Sequence, residues 1–216
     1  MRAAAVNALA LSFVAIQLSA CIGRNGTSAA GPPPPSANVA TVTVDGGPAG
    51  AAGQVNHLYV TVTVCPAGSQ TGCANIDHVV LDTGSAGLRL VGSVLMAQSV
   101  VLSPATDAQG QTLEECVTFG GGQTWGPVAP ADVSMAGERA LKVPVQIMDD
   151  TGSGAAPPAN CGTNGTLINS VSAFGANGIL GVGVFTQDCG SACVAPPSPL
   201  PFYYGCNAAG VCTAEN

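Results

Sequence analysis

Short stretches of alternating polar and apolar residues, each cut off by glycine or proline, constrain this chain most. Ala40-Thr41-Val42-Thr43-Val44 alternates and stops at Asp45-Gly46-Gly47-Pro48. His57 to Val64 is a second β-rich run. Cys65 and Cys73 then bracket a turn-rich excursion through Pro66, Gly68 and Gly72, and Ile76 to Leu81 follows as a third run. A period of two sends successive side chains to opposite faces of a strand, and the glycines permit tight reversals. The pattern predicts an all-β domain of hairpins. Composition agrees, with only 8% charged residues beside 29 Gly and 16 Pro, which excludes a charge-laced helical bundle.

Further along, Glu115 to Phe119 and Thr124 to Gly126 flank Gly120-Gly121-Gly122 and predict a hairpin with a glycine tip. Ala131 to Met135 and Leu141 to Ile147 predict another around Ala136-Gly137. Ile179 to Phe185 is the last strong apolar strand, and Gln187 to Asn216 reads as loop. The one helical candidate is Gly92 to Val100. A formal net charge of -7, with no Lys/Arg cluster, excludes nucleic acid as a partner.

The N-terminus predicts export. Arg2 precedes an apolar stretch from Ala3 to Gln17, too short to span a bilayer comfortably. It runs into Leu18-Ser19-Ala20-Cys21, which resembles a bacterial lipobox, so residues 1–21 are expected to be a signal peptide ending in a lipidated Cys21. Residues 22–38, with Pro32 to Pro35 at their centre, read as a stiff tether, and 39–216 as the domain. Ile22 after the lipidated cysteine favours the outer membrane by resemblance to bacterial lipoproteins. Of nine cysteines, Cys21 has this separate use and eight remain, a number suited to an oxidising compartment. Local closure predicts Cys65–Cys73, Cys189–Cys193 and Cys206–Cys212, leaving Cys116–Cys161. The cysteines lack paired short spacings for zinc, and His57 and His78 lack ligand spacing, so neither a metal nor a cofactor is expected.

The chemistry-bearing stretch is Val79-Val80-Leu81-Asp82-Thr83-Gly84-Ser85-Ala86-Gly87-Leu88. Three apolar residues deliver a carboxylate to a strand end. Thr83 is small and hydroxylated, Gly84 lets its N–H approach the carboxylate, and Ser85 offers a hydroxyl to the outer oxygen. With Thr118-Phe119-Gly120-Gly121-Gly122 and Asn177-Gly178-Ile179-Leu180-Gly181-Val182-Gly183 following in order, the chain resembles the first lobe of a pepsin-like aspartic peptidase. More narrowly, it looks like an uncharacterised family of bacterial secreted proteins carrying that core. The resemblance covers Val39 to about Phe185. It implies a single-lobe half-barrel with disulfide-closed loops and a catalytic loop Asp82-Thr83-Gly84-Ser85. It also implies a flap at Phe119, Gly120 and Gly121, and a strand of Ile179 to Gly183 packed beside the catalytic loop.

Two departures qualify the function. Phe119 stands where the family usually has a flap tyrosine. The chemistry needs two carboxylates about 3 Å apart sharing one proton, and the one other Asp-Thr-Gly of the 216 residues, Asp150-Thr151-Gly152, falls in a Gly/Pro-rich stretch read as loop. Asp149-Asp150 read as solvated turn carboxylates. The expectation is half a peptidase site acting on peptides in the envelope. It is completed by a missing second lobe or a homodimer partner, or else it is inactive. The competing expectation is a non-enzymatic β-barrel lipoprotein with a binding or structural role. Trp125 and Phe119 suit either a ligand grip or hairpin packing. A serine-hydrolase elbow and a correctly ordered dinucleotide loop are both lacking.

Overall fold

The computed structural model describes residues 38–51, 54–162, 165–185 and 201–215. The lipobox, the tether and the expected Cys189–Cys193 bridge lie outside the described residues. The elements are β1 (Thr43–Asp45), β2 (His57–Pro66), β3 (Ala74–Asp82), β4 (Ala86–Val91), α1 (Gly92–Ala97), β5 (Thr112–Phe119) and β6 (Gly122–Met135). They continue with β7 (Glu138–Met148), α2 (Val171–Phe174), β8 (Gly178–Val182), β9 (Tyr203–Cys206) and β10 (Cys212–Glu215). The domain is all-β, as its alternation dictates, and α1 forms where the one helical candidate lies.

The sheet order is β1-β2-β3-β8-β4-β7-β6-β5-β9-β10, and β2 also pairs with β6. That extra pairing closes β2, β3, β8, β4, β7 and β6 into a six-stranded barrel, which removes their free edges. Alternate residues fill it: Val60, Val62 and Val64 of β2 point inward onto Ile76, Val79, Leu88, Leu90, Ala129, Ala131 and Val145. Burying one such valine is worth roughly 1.5–3 kcal/mol, so the period-two pattern is also the main stabilising pattern. Leu95 of α1 seals the same core.

β6 departs from expectation. The glycine-tip hairpin and the later hairpin share it as one continuous strand of 14 residues. Its first half pairs with β5 from Phe119↔Gly122 to Glu114↔Pro127, and its second half pairs with β7 and β2. Gly126, at φ +154°, sits where it passes from one pairing to the other, and a β-carbon there would collide with the Ile147 carbonyl oxygen. Only glycine allows that crossing.

Outside the barrel, β5, β9 and β10 extend β6 into a small annex. Cys116, Trp125, Cys161, Tyr204 and Cys206 form its separate core. Trp125 is 2% exposed, donates its indole N–H to the Ala155 carbonyl at 2.7 Å and meets Tyr204 edge to face at 5.4 Å. The tryptophan therefore packs the annex and does not present itself to a ligand.

The reading of residues 187–216 as loop is corrected over 203–215. β9 and β10 form a hairpin with Cys206 directly opposite Cys212, and β9 pairs with β5. Both strands are only four residues long, too short to show a period. Pairing with β5 and the disulfide, not local propensity, hold them extended. Three expected bridges are present: Cys65–Cys73, Cys116–Cys161 and Cys206–Cys212, with Cα–Cα distances of 4.1, 5.6 and 4.1 Å.

Candidate functional site

β3 and β4 are consecutive in sequence but not neighbours in the sheet. β8 runs between them, parallel to β3 and antiparallel to β4. The Asp82-to-Ser85 loop must therefore cross over the end of β8. Asp82 stands level with Gly181, and the Gly183 N–H donates to the Ser85 carbonyl at 2.8 Å. A β-carbon on Gly181 would come within 2.5 Å of the Ser85 and Ala86 backbone. The apolar-apolar-glycine sequence of β8 thus has a steric cause, because the loop backbone occupies the space of a side chain.

At the loop, the Gly84 N–H donates to Asp82 Oδ1 at 3.0 Å. Asp82 is partly exposed, while Thr83 and Gly84 face solvent. Ser85 differs from expectation: its Oγ is buried and without a hydrogen-bond partner, so it does not donate to the Asp82 carboxylate. The tie from Gly183 to the Ser85 carbonyl fixes that residue by its backbone instead.

Phe119 ends β5 opposite Gly122, and Gly120 and Gly121 form the two-residue reversal between them. The phenyl ring contacts Phe174 of α2 edge to face at 6.1 Å. The Arg89 guanidinium lies 5.9 Å from its centroid. Arg89, only 2% exposed, also donates to the Ala86 carbonyl at 2.6 Å and pairs with Glu115 Oε1 at 2.6 Å. Gln146 donates to the Glu115 carbonyl and accepts from the Thr124 hydroxyl. A buried polar network thus joins the foot of the Asp82 loop to the hairpin bearing Phe119. Breaking a buried ion pair by removing one partner typically costs 3–5 kcal/mol, so the network couples loop and hairpin firmly. Sequence reasoning missed Arg89 and Glu115. The available signal was a charge inside the apolar run Leu88-Arg89-Leu90-Val91 in a chain so poor in charge.

Asp149 and Asp150 are not simple solvated turn residues. Burial pushes the Asp149 carboxyl up, but hydrogen bonds from the Thr151 hydroxyl and the Gly154, Thr151 and Ser153 N–H groups outweigh it and hold the carboxyl below its usual value. Asp150 accepts from the backbone N–H and the hydroxyl of Ser93 at the start of α1. Both carboxylates organise the chain leaving β7, and sequence offered no sign of their partners.

His78 pairs with Asp45 at 3.2 Å and with Asp77 at 3.3 Å. Its φ of +47° marks an irregular residue in β3. His57 opens β2 and is exposed. Among the described residues no group of three or more His, Cys, Asp or Glu is arranged to hold a metal ion.

Glu114, next to Glu115 on β5, faces the annex instead of the barrel, because neighbouring strand residues point to opposite faces. It is 2% exposed. Burial first, and the Asp149 carboxylate second, push its carboxyl up from 4.5 to about 7. A carboxyl whose pKa is raised on folding stabilises the fold below the unfolded value and loses that contribution as pH rises through the folded one. The shift corresponds to about 3 kcal/mol, which partial access of water reduces to about 2 kcal/mol. Glu114→Gln is therefore expected to gain about 2 kcal/mol over the unmutated chain between pH 4 and pH 8. Urea unfolding at both pH values measures this, and identical pH profiles for the two chains would contradict it.

A closed β-barrel with a disulfide-stapled annex, carrying Asp82 on a glycine-supported crossover loop, defines the class. The chain belongs to the family described as "Protein of unknown function (DUF3443)", which matches residues 34–216. No curated protein matches it.

Proposed function

We propose that the domain is one lobe of a pepsin-like aspartic peptidase and that Asp82 supplies one of the two carboxylates of a peptide-cleaving site. The observation that carries this reading is the threading of β8 between β3 and β4 under the Asp82 loop. That arrangement sets the Asp82 loop against the β8 glycines, two of the three motifs on which the reading rests. Gly84 supports the carboxylate, Gly181 admits the loop, and Phe119 sits on a hairpin tied to the loop foot through Arg89. The unpartnered buried hydroxyl of Ser85 fits half of a site, since a buried polar group lacking a partner calls for an explanation. The partner carboxylate comes from a second lobe or from a second copy of the chain. Two Asp82 residues meeting at a two-fold axis need a self-complementary surface. Peptide cleavage below neutral pH by the assembled protein, compared with its Asp82→Asn variant, tests the assignment.

The lobe acts from the cell envelope, held through Cys21 at the membrane, with peptides as its substrates. Cys21→Ser is expected to move the protein out of the membrane fraction or to stall its processing. Unchanged fractionation with an unmodified mature N-terminus would refute the anchor.

A second reading is a non-enzymatic envelope lipoprotein that uses the barrel for binding or structure. What favours it is the other Asp-Thr-Gly, Asp150-Thr151-Gly152, whose carboxylate is engaged by the N–H and hydroxyl of Ser93 at the start of α1. Absence of cleavage in every assembled form would select this reading.

A further inference from the structure

The annex carries a half-open cavity of about 360 Å³, lined by Glu114 and Thr112 together with Pro104, Pro127, Ala155 and Cys206. A volume of this size suits a small ligand. Its one ionisable lining residue is Glu114, and the Glu114 Oε2 is buried with no hydrogen-bond partner. A buried acceptor without a donor carries a desolvation cost, which an arriving donor relieves.

The surroundings specify the charge of that donor. Asp149 lies close enough to act on Glu114 electrostatically, yet its own oxygens accept from Thr151, Ser153 and Gly154. It contributes negative potential without competing for the donor. Tyr204 stands opposite Glu114 on β9, and its hydroxyl donates away to the Asn160 carbonyl. On β6, Pro127 and Trp125 face the same side and carry no charge. Asp107 and Glu215 lie against Gly205, on the opposite face of β9. Of the described basic side chains, Arg89 pairs with Glu115 and Arg139 pairs with Asp132, while Lys142 is exposed on β7. Thr112, Ser153 and Asn207 give the lining a polar share, while Pro104, Pro127 and Ala155 give it an apolar side that suits a short hydrocarbon body.

We propose that this cavity binds a primary alkylammonium group, with its nitrogen on Glu114 and its alkyl chain between Pro104, Pro127 and Ala155. The ammonium supplies up to three N–H donors and a compact positive charge. A free amine and a lysine side chain offer the same chemistry.

The test is titration of the full chain, isotope-labelled for NMR, with n-butylammonium, Nα-acetyl-lysine methylamide, n-butanol, butyrate and calcium chloride at pH 6 and pH 8. Butylammonium is expected to move the Thr112, Gly154 and Ala208 amide resonances with a Kd on the order of 1 mM. Because the ionised Glu114 attracts an ammonium far more strongly than the neutral acid does, and its carboxyl titrates near 7, binding should tighten up to about tenfold between pH 6 and pH 8. Glu114→Gln should abolish it. Binding of the lysine derivative as well identifies a lysine side chain as the source, and binding of butylammonium alone identifies a free amine. Equal binding of n-butanol, binding that survives Glu114→Gln, butyrate binding that strengthens at pH 6, calcium acting at lower concentration, or no shifts with either amine would each overturn the proposal. The comparison of butylammonium with butanol, and its pH trend, need no variant and stand if Glu114→Gln does not fold.

Discussion

Replacing Cys116 and Cys161 together by serine is expected to destabilise the domain by about 4 kcal/mol, more than removal of either other described disulfide. The two residues are 45 apart in sequence, against 8 for Cys65–Cys73 and 6 for Cys206–Cys212. In the chain-entropy description, stabilisation grows with the logarithm of loop length, giving about 4 kcal/mol for the long loop and about 2.5 kcal/mol for the short ones. The position of the bridge adds a local consequence. Cys161 ends the segment whose Ala155 carbonyl receives the Trp125 indole N–H, so opening the bridge loosens the cover over the annex core. A loss of 4 kcal/mol is a large part of the stability of a domain this size. Chemical denaturation of the double variant, beside Cys206→Ser/Cys212→Ser, measures the difference. Equal losses for the long and short bridges would contradict this account.

Much of the barrel was legible because its physics is local. Val60, Val62 and Val64 alternate with threonines, and one face of that run is the core. The glycine run after Phe119 marks the reversal, and within it Gly122 is the position where a β-carbon would collide, with the Thr166 carbonyl and Ile168. The bridges followed from spacing where the loops are short. The long strand β6 was not legible, because Pro127 and Pro130 look like strand breakers. Pairing with β5, β7 and β2 overrides them. The hairpin of β9 and β10 was missed for a related reason, since β5 pairing and a disulfide hold residues with little intrinsic pattern.

The candidate site divides the same way. Asp82, Gly84 and the glycines of β8 carried a local signature, since an apolar strand must deliver a carboxylate over a backbone that passes close by. The Ser85 hydroxyl did not go where the motif suggested. Arg89, Glu115, Asp150 and Glu114 owe their roles to partners 20 or more residues away, for example Arg89 and Glu115 at a separation of 26 and Asp150 and Ser93 at 57. No local pattern records such a pairing. Glu114 and Glu115 are neighbours with unlike roles, because strand geometry sends one to the annex and the other to the barrel.

The second large effect concerns Asp82. In a shared-proton pair one carboxylate acts as base on water while the other acts as acid. Asn can neither hold nor release that proton, so Asp82→Asn is expected to lower peptide cleavage about a thousandfold or more. The fold should persist, since Asp82 is partly exposed and an amide oxygen can still accept from the Gly84 N–H. The decisive measurement is peptide cleavage at mildly acidic pH by separated monomeric and self-associated fractions, and by protein isolated at its native length from membranes, each with and without Asp82→Asn. The account predicts a silent monomer and cleavage confined to an assembled or native-length form, lost in Asp82→Asn. Cleavage that survives Asp82→Asn, or no cleavage in any form, would contradict it.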